Sequence, residues 1–129
     1  MIRVLIVEDD FKLRSSLSRT LEVQGFTVYQ ADSSPHAFEE IKEHVIDALV
    51  IDIDIARAND FEFSIKLREL HPNFKMIGLA GEHYPIEFGN LRDNAMLIDS
   101  NSLFSGFLPK VSASALIAGK IKGILDKES

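Results

Sequence analysis

The chain has 129 residues, 46% of them hydrophobic and 26% charged, which is enough for one domain with a substantial core. It contains no cysteine, and this excludes disulfides, thiolate catalysis and cysteine-bound zinc. No apolar run approaches the roughly 20 residues of a membrane span, and no signal-peptide core follows the N-terminus. A net charge of −6 argues against binding to nucleic-acid phosphates. We therefore expect one cytoplasmic domain over residues 1 to 129, without direct membrane or nucleic-acid contacts.

Five short apolar segments, each bounded by turn-forming or charged residues, predict β-strands. They cover residues 2–7, 26–31, 48–52, 74–80 and 105–109. Helical patterns lie between them, and this alternation predicts right-handed crossovers onto a parallel sheet that is covered on both faces. The predicted fold is therefore α/β: a flavodoxin-like, doubly wound sheet of five strands in the order 2-1-3-4-5.

The helical patterns carry recognisable start and stop signals. The first follows Asp10 as N-cap, repeats leucine every four residues and ends at Gly25 as C-cap. The second begins at Ser34 with a proline in the first helical position. The third can start at Asp60 and end before Pro72. Its candidates for burial are Phe61, Ile65 and Leu67.

The last third of the chain is less regular. Residues 81 to 104 contain Pro85 and two glycines in the stretch GEHYPIEFGN, so we expect an irregular or shifted fourth helix there. A further helix is predicted over residues 112 to 126. Its apolar residues are Leu116, Ile117, Ile121, Ile124 and Leu125.

Acidic residues follow two of the predicted strands. The stretch ALVIDIDIA ends the third strand with Asp52 and Asp54, and the first strand is followed by Glu8 and Asp9. In a doubly wound fold the carboxyl ends of neighbouring strands meet in one crevice, where ligands bind. Converging carboxylates are held together most readily by a cation, and Mg²⁺ prefers oxygen ligands. Asp9 and Asp52 fit as metal ligands, Asp52 fits as a nucleophile towards phosphorus, and Lys110 after the fifth strand is the available cation.

Each of these features has a structural alternative. The acidic run at residues 8 to 10 is also typical of a helix cap that favours the helix dipole. The alternation in VIDIDI also fits a half-buried strand with its aspartates in water. A lysine such as Lys110 is most often simply solvated. The order of the acids and the lysine along one fold favours the functional interpretation.

Three motifs resemble the receiver domain of two-component response regulators over essentially the whole chain. They are VLIVEDD followed by Arg14, then DALVIDIDI, then FLPK. The resemblance implies that Asp9 binds Mg²⁺ directly, Glu8 binds it through water, and the backbone carbonyl of Asp54 completes the site. It also implies that Asp52 is the phosphoacceptor and that Lys110 holds a phosphoryl oxygen.

The same resemblance implies partners. The phosphoryl donor would be a phosphohistidine on a sensor histidine kinase or a phosphotransfer protein. Receivers usually pair through the fourth helix, the fifth strand and the fifth helix, which is the expected homodimer surface. We expect a signalling module rather than an enzyme.

Several positions depart from the family. Ala80 replaces the hydroxyl residue at the end of the fourth strand, and the switch aromatic on the fifth strand is Phe107. The usual Lys-Pro pair is Lys110-Val111, so a trans peptide and a displaced Lys110 are expected, because a non-proline cis bond costs about 2.5 to 4 kcal/mol. Asp54 adds an acid beside Asp52, and ARAND replaces the usual Pro-Gly and Asp-Gly turn. The segment 81 to 104 is also longer than the family norm.

These departures leave two other functions open. A pseudo-receiver would use the same fold as a phosphate-independent interaction surface. A haloacid-dehalogenase-like phosphatase would use the Asp-x-Asp form of Asp52 and Asp54 as nucleophile and acid/base. In that family, however, the motif follows the first strand of a larger chain, whereas here it follows the third.

Overall fold

The computed structural model describes residues 1–82 and 103–126. Within them five parallel strands form one sheet in the order β2-β1-β3-β4-β5, which confirms the predicted doubly wound fold. The strands are β1 (Arg3–Val7), β2 (Thr27–Ala31), β3 (Ala48–Asp52), β4 (Lys75–Ala80) and β5 (Gly106–Pro109). The helices are α1 (Phe11–Val23), α2 (Ser34–Glu43), α3 (Ile53–Leu70) and a C-terminal helix (Ala113–Asp126).

The helices cover both faces of the sheet and make two apolar cores. Leu5, Leu49 and Met76 pack on one face with residues of α2 and α3. Val4 and Val50 point to the other face, where α1 and the C-terminal helix cover them. All residues of β3 are buried, as expected for a strand with a helix layer on each side.

Local signals at the ends of the first two helices match the sequence predictions. The Asp10 side chain accepts hydrogen bonds from the N–H groups of Lys12 and Leu13 and so caps α1. Gly25 directly follows the C-cap residue Gln24 and has φ +94°, a conformation that L-residues rarely adopt. Ser33 caps α2 through the N–H of His36.

The predicted start of the third helix at Asp60 is wrong. Helix α3 begins at Ile53, because the Asp52 side chain caps its first turn. The helix is then interrupted, since Ala58 is extended and Asn59, Asp60 and Phe61 have φ values of 54°, 56° and 64°. Asn59, Asp60 and Phe61 therefore form a left-handed link between two helical parts.

The burial pattern of the third helix matches the prediction only in part. Leu67 is buried and Phe61 is partly buried, whereas Ile65 is 45% exposed. Phe63, four residues before Leu67, is buried on the same face of the helix. In the C-terminal helix Leu116 is 50% exposed, and the buried stripe runs instead through Ala113, Ile117 and Ile121.

Replacing Asp60 by glycine should stabilise the domain by about 1 kcal/mol, because glycine adopts positive φ without a steric cost. Asp60 is exposed, so the change removes no buried contact. Urea unfolding followed by circular dichroism measures the effect. The matched control is Glu62→Gly, two residues later in the helical part, which should destabilise the domain by a similar amount. Equal effects of the two changes would contradict the prediction.

Two predictions remain, one on the fourth helix and one on membrane spans. The irregular fourth helix predicted within residues 81 to 104 lies mostly outside the described residues. Among the described helices, none has the length and apolar character needed to cross a membrane.

Candidate functional site

The acids after β1 occupy different environments. Glu8 is fully buried, its N–H bonds to the Ala31 carbonyl at 3.0 Å, and its Oε2 accepts the N–H of Asp10 at 3.1 Å. Asp9 is exposed beside it. Asp10 faces α1 as its cap, so the helix-cap alternative holds for Asp10 alone. Glu8 and Asp9 remain available to a ligand.

Asp52 is the last residue of the central strand β3 and only 5% exposed. Its Oδ1 accepts the N–H groups of Asp54 at 2.6 Å and Ile55 at 3.3 Å. Its Oδ2 lies 2.5 Å from Nζ of Lys110. Asp52 is therefore buried and hydrogen-bonded within the protein, and the alternative of a solvated strand aspartate does not describe it.

Lys110 lies in the site, and the predicted displacement of this lysine is wrong. Its Nζ reaches Asp52 Oδ2 at 2.5 Å and Glu8 Oε1 at 2.8 Å. No cis peptide occurs among the described residues, so the bond before Val111 is trans as predicted. A 3₁₀ turn over Lys110–Ser112 follows β5 directly and directs the lysine towards β3 without the usual proline.

Burial and charge act in opposite directions on Glu8 and Lys110. Burial is the main cause that raises the pKa of Glu8 to about 7, and the contact with Asp9 acts in the same direction, while the contacts with Lys110 and the Asp10 N–H only partly oppose them. Burial lowers the pKa of Lys110, but its hydrogen bonds to Asp52 and Glu8 outweigh burial and raise it overall. The lysine is therefore positively charged at neutral pH, while Glu8 titrates there.

The carboxylates fit a hard divalent cation. One oxygen each from Glu8, Asp9 and Asp52 can be chosen so that all three lie within 4.8 Å of one another. Oxygen ligands around Mg²⁺ stand about 3 to 4 Å apart, because each lies about 2.1 Å from the ion. The residues therefore form an acidic cluster that resembles a metal site in its donor set.

Some residues of the site were not assigned from the sequence. Asp32 and Ser33, which follow β2, line the same crevice as Asp9, Asp52 and Lys110. Polar residues that follow parallel strands meet at the carboxyl edge of the sheet, and this rule would have assigned Asp32 and Ser33 to the site. Arg14 donates from Nη1 to the Glu8 carbonyl at 2.6 Å and so fixes the backbone of the acidic pair. Arg14 lies in the first turn of α1, close in sequence to Glu8, and this position could have indicated the contact.

The remaining assigned positions lie around this cluster. Asp54 is exposed on the rim of the crevice, and the role of its backbone carbonyl as a metal ligand stays a prediction. Ala80 is 2% exposed at the end of β4 and Phe107 is 6% exposed on β5. Both pack in the core shared with α2 and α3.

The pKa of Glu8 predicts how pH affects stability. Between about pH 4.5 and 7 the folded protein holds a proton that the unfolded chain has released, so raising the pH through this window should lower the free energy of unfolding of the metal-free protein. A shift of this size corresponds to at most about 3 kcal/mol. Thermal melts followed by circular dichroism should show this fall, and Glu8→Gln should flatten it.

Mg²⁺ requires the deprotonated carboxylate, and its stabilising effect should therefore grow with pH across the same window. The rise in melting temperature on adding Mg²⁺ should be larger above pH 7 than near pH 5.5. A rise that is equal at both pH values would contradict the assignment of Glu8 to the metal site.

Comparison with known proteins identifies the family of the chain. The sequence model of the response regulator receiver domain matches residues 4–90. The sensor kinase CckA of Brucella abortus is 30% identical over 127 residues, covering 97% of this chain and 13% of CckA. The response regulator MprA of Mycobacterium ulcerans is 29% identical over 126 residues, covering 96% of this chain and 50% of MprA. The chain thus spans half or less of the length of these relatives.

Among solved structures, the response regulator TrrA of Thermotoga maritima, in complex with Mg²⁺ and BeF, superposes with a TM-score of 0.72. It shares 18% identity, and the match covers 96% of this chain and 99% of TrrA, which supports the fold. Neither the pseudo-receiver nor the phosphatase alternative is favoured, because the acidic cluster and Lys110 are assembled as a phosphoacceptor site requires. With the family match, the fold and this cluster together, the chain belongs to the response regulator receiver domains of two-component signalling.

Proposed function

We propose that Asp52 accepts a phosphoryl group from a phosphohistidine donor, with Mg²⁺ bound by Asp9, Asp52 and, through water, Glu8. The observation that carries this proposal is the contact of Lys110 Nζ with both Asp52 and Glu8 at the carboxyl end of β3. It places a positive charge beside the nucleophile, where the incoming phosphoryl oxygens need one.

The transfer step uses the chain's own groups. A carboxylate oxygen of Asp52 forms a bond to phosphorus while the phosphorus–nitrogen bond of the donor breaks. The electron pair of that bond returns to the donor imidazole, which takes up a proton. Lys110 moves its contact from Asp52 to a phosphoryl oxygen and so keeps the acylphosphate charge paired.

Mg²⁺ would be held by carboxylate oxygens of Asp9 and Asp52, with the backbone carbonyl of Asp54 as a further ligand. When bound, it neutralises charge that the phosphoryl oxygens bring next to three carboxylates.

The donor belongs to the sensor kinases or phosphotransfer proteins, since CckA, a sensor kinase, contains a region similar to this chain. Pairing through the predicted fourth helix, β5 and the C-terminal helix remains the expected homodimer. A cytoplasmic location suits such a donor.

Asp9→Asn should weaken Mg²⁺ binding at least tenfold, because it removes a charged ligand from an exposed position that does not hold the fold. The protein has no tryptophan, so an NMR titration is the suitable measurement. Shifts should centre on residues 8 to 10, 52 to 54 and 110. Asp10→Asn, which keeps a helix cap but alters a neighbouring acid, is the matched control and should leave the affinity nearly unchanged. Shifts scattered away from these residues would argue against the metal site.

Incubation with a small acyl phosphate and Mg²⁺, followed by intact-protein mass spectrometry, tests the transfer itself. One phosphoryl group per chain is expected, labile in acid and base. If a large excess of donor leaves no adduct, a phosphate-independent interaction module becomes the better description.

A further inference from the structure

Gly78, in the middle of β4, lies against the ring of Phe107 on β5. The two residues are neighbours in the parallel ladder between these strands. A Cβ atom built on Gly78 would lie 2.8 Å from Cδ1 and 3.1 Å from Cε1 of Phe107, and 3.0 Å from Cγ1 of Ile53. Distances below 3.0 Å are not found for real Cβ atoms. Any larger residue at 78 therefore competes with the ring for the same space.

The backbone does not require glycine here. Gly25 has a positive φ, whereas the φ angle of Gly78 is not positive. Gly78 lies in a regular strand, where glycine weakens the sheet. The close approach of a neighbouring group is the remaining reason for glycine at a buried strand position. That group is the Phe107 ring.

The surroundings of the ring are closed on the other sides. Phe107 is 6% exposed, and its ring centroid lies 5.0 Å from that of Phe104. Ile53 is fully buried at the start of α3, so it has no open space into which to retreat. Ala80, two residues beyond Gly78 on the same face of β4, is also small and carries no donor for a hydrogen bond. Among residues 1–82 and 103–126, the contacts of the ring are apolar.

We propose that Gly78 is a positioning residue that keeps the Phe107 ring buried whether or not the Asp52 site is filled. The contacts of the ring with Gly78, Ile53 and Phe104 are apolar and offer a phosphoryl group no hydrogen bond, and a ligand shifts an equilibrium only by its differential contacts with two states. The surface around β5 is therefore held in one state by the core. The proposal rests on the proposed function only in that beryllofluoride must occupy the Asp52 site during the test.

A fluorine label on the Phe107 ring measures its burial directly. In the full chain, the ¹⁹F signal of 4-fluorophenylalanine at position 107 should show weak relaxation by a soluble gadolinium chelate. This relaxation should remain the same after addition of Mg²⁺ and beryllofluoride. In Gly78→Ala the relaxation should rise several-fold, because the added Cβ displaces the ring. Gly119→Ala in the C-terminal helix, where an added Cβ meets nothing within 4 Å, is the matched control and should behave as the wild type.

Two results would overturn the proposal. One is a wild-type ring signal that becomes accessible to gadolinium, or shifts to a new position, when the site is filled. The other is a folded Gly78→Ala protein whose ring stays as protected as in the wild type. If Gly78→Ala does not fold, the comparison of the wild type with and without beryllofluoride still tests whether the ring stays buried when the site is filled. Shifts at residues 52 to 54 report whether beryllofluoride has bound, and their absence would count against the proposed function rather than against the role of Gly78.

Discussion

Asp52→Asn should accept no phosphoryl group from an acyl phosphate, although the variant should fold. The amide oxygen of asparagine can still accept the N–H groups of Asp54 and Ile55, so the cap of α3 is retained. The amide is not a nucleophile towards phosphorus, and it cannot form the ion pair with Lys110. The remaining carboxylate of Glu8 still pairs with the lysine, so the buried charge is not left alone. Mass spectrometry should detect complete loss of the adduct, and circular dichroism should detect a native spectrum.

The matched control is Asp54→Asn. Asp54 is also an aspartate and lies two residues after Asp52, but its side chain is exposed. Its contact with the Asp52 side chain is made by its backbone N–H, which the substitution keeps. The adduct should therefore form in Asp54→Asn, and faster than in the wild type, because one negative charge beside an anionic donor has been removed. An adduct that persists in Asp52→Asn and disappears in Asp54→Asn would show that Asp54, and not Asp52, is the phosphoacceptor.

Ala80→Thr should extend the response to site occupancy from the acidic cluster towards β5. In the wild type, Mg²⁺ with beryllofluoride should shift NMR signals around Asp9, Asp52 and Lys110 and leave those of residues 103 to 108 nearly unchanged. Ala80 offers no hydrogen bond to a filled site, and it is at the end of β4 next to Pro109 of β5. A hydrogen bond to a charged group contributes about 1.5 to 3 kcal/mol, so a threonine hydroxyl could change the balance of two states by roughly tenfold to a hundredfold.

Ala80→Val is the control for this prediction, because valine has nearly the shape of threonine without its hydroxyl. A response of residues 103 to 108 in Ala80→Thr but not in Ala80→Val would assign the effect to the hydrogen bond. Equal responses would assign it to packing against Phe107 and Phe104. A full response of the wild type would show that another donor has taken the place of the missing hydroxyl.

The strand pattern and the order of motifs were enough to predict the sheet. Five apolar segments with helical patterns between them have few ways to bury their faces, and a right-handed doubly wound sheet is the usual one. The same reasoning brought Glu8, Asp9, Asp52 and Lys110 to one edge, because the carboxyl ends of parallel strands meet there. These predictions depend on periodicity and connectivity, both of which are properties of the sequence.

The third helix was different. Its start at Ile53 depends on the Asp52 side chain turning back to cap the next two N–H groups, and this contact leaves no mark in hydrophobic periodicity. The left-handed link at Asn59 to Phe61 is not required by its residue types, although asparagine and aspartate adopt positive φ more often than most residues. In the helical part after the link, Phe63 is buried and Ile65 is 45% exposed. Ser64 then joins the two parts through a hydrogen bond from Oγ to the Ala56 carbonyl at 3.0 Å.

The sequence by itself thus determined the fold class, the edge of the sheet at which the site lies, and the chemical groups present there. Only the tertiary structure decided that Lys110 reaches Asp52 and Glu8 although its peptide bond to Val111 is trans, that burial raises the pKa of Glu8, and that Gly78 leaves room for Phe107. The physical reason is the range of the interactions. Strand and helix patterns reflect neighbours within a few residues, whereas Lys110 and Asp52 are 58 residues apart and meet only when the sheet has formed.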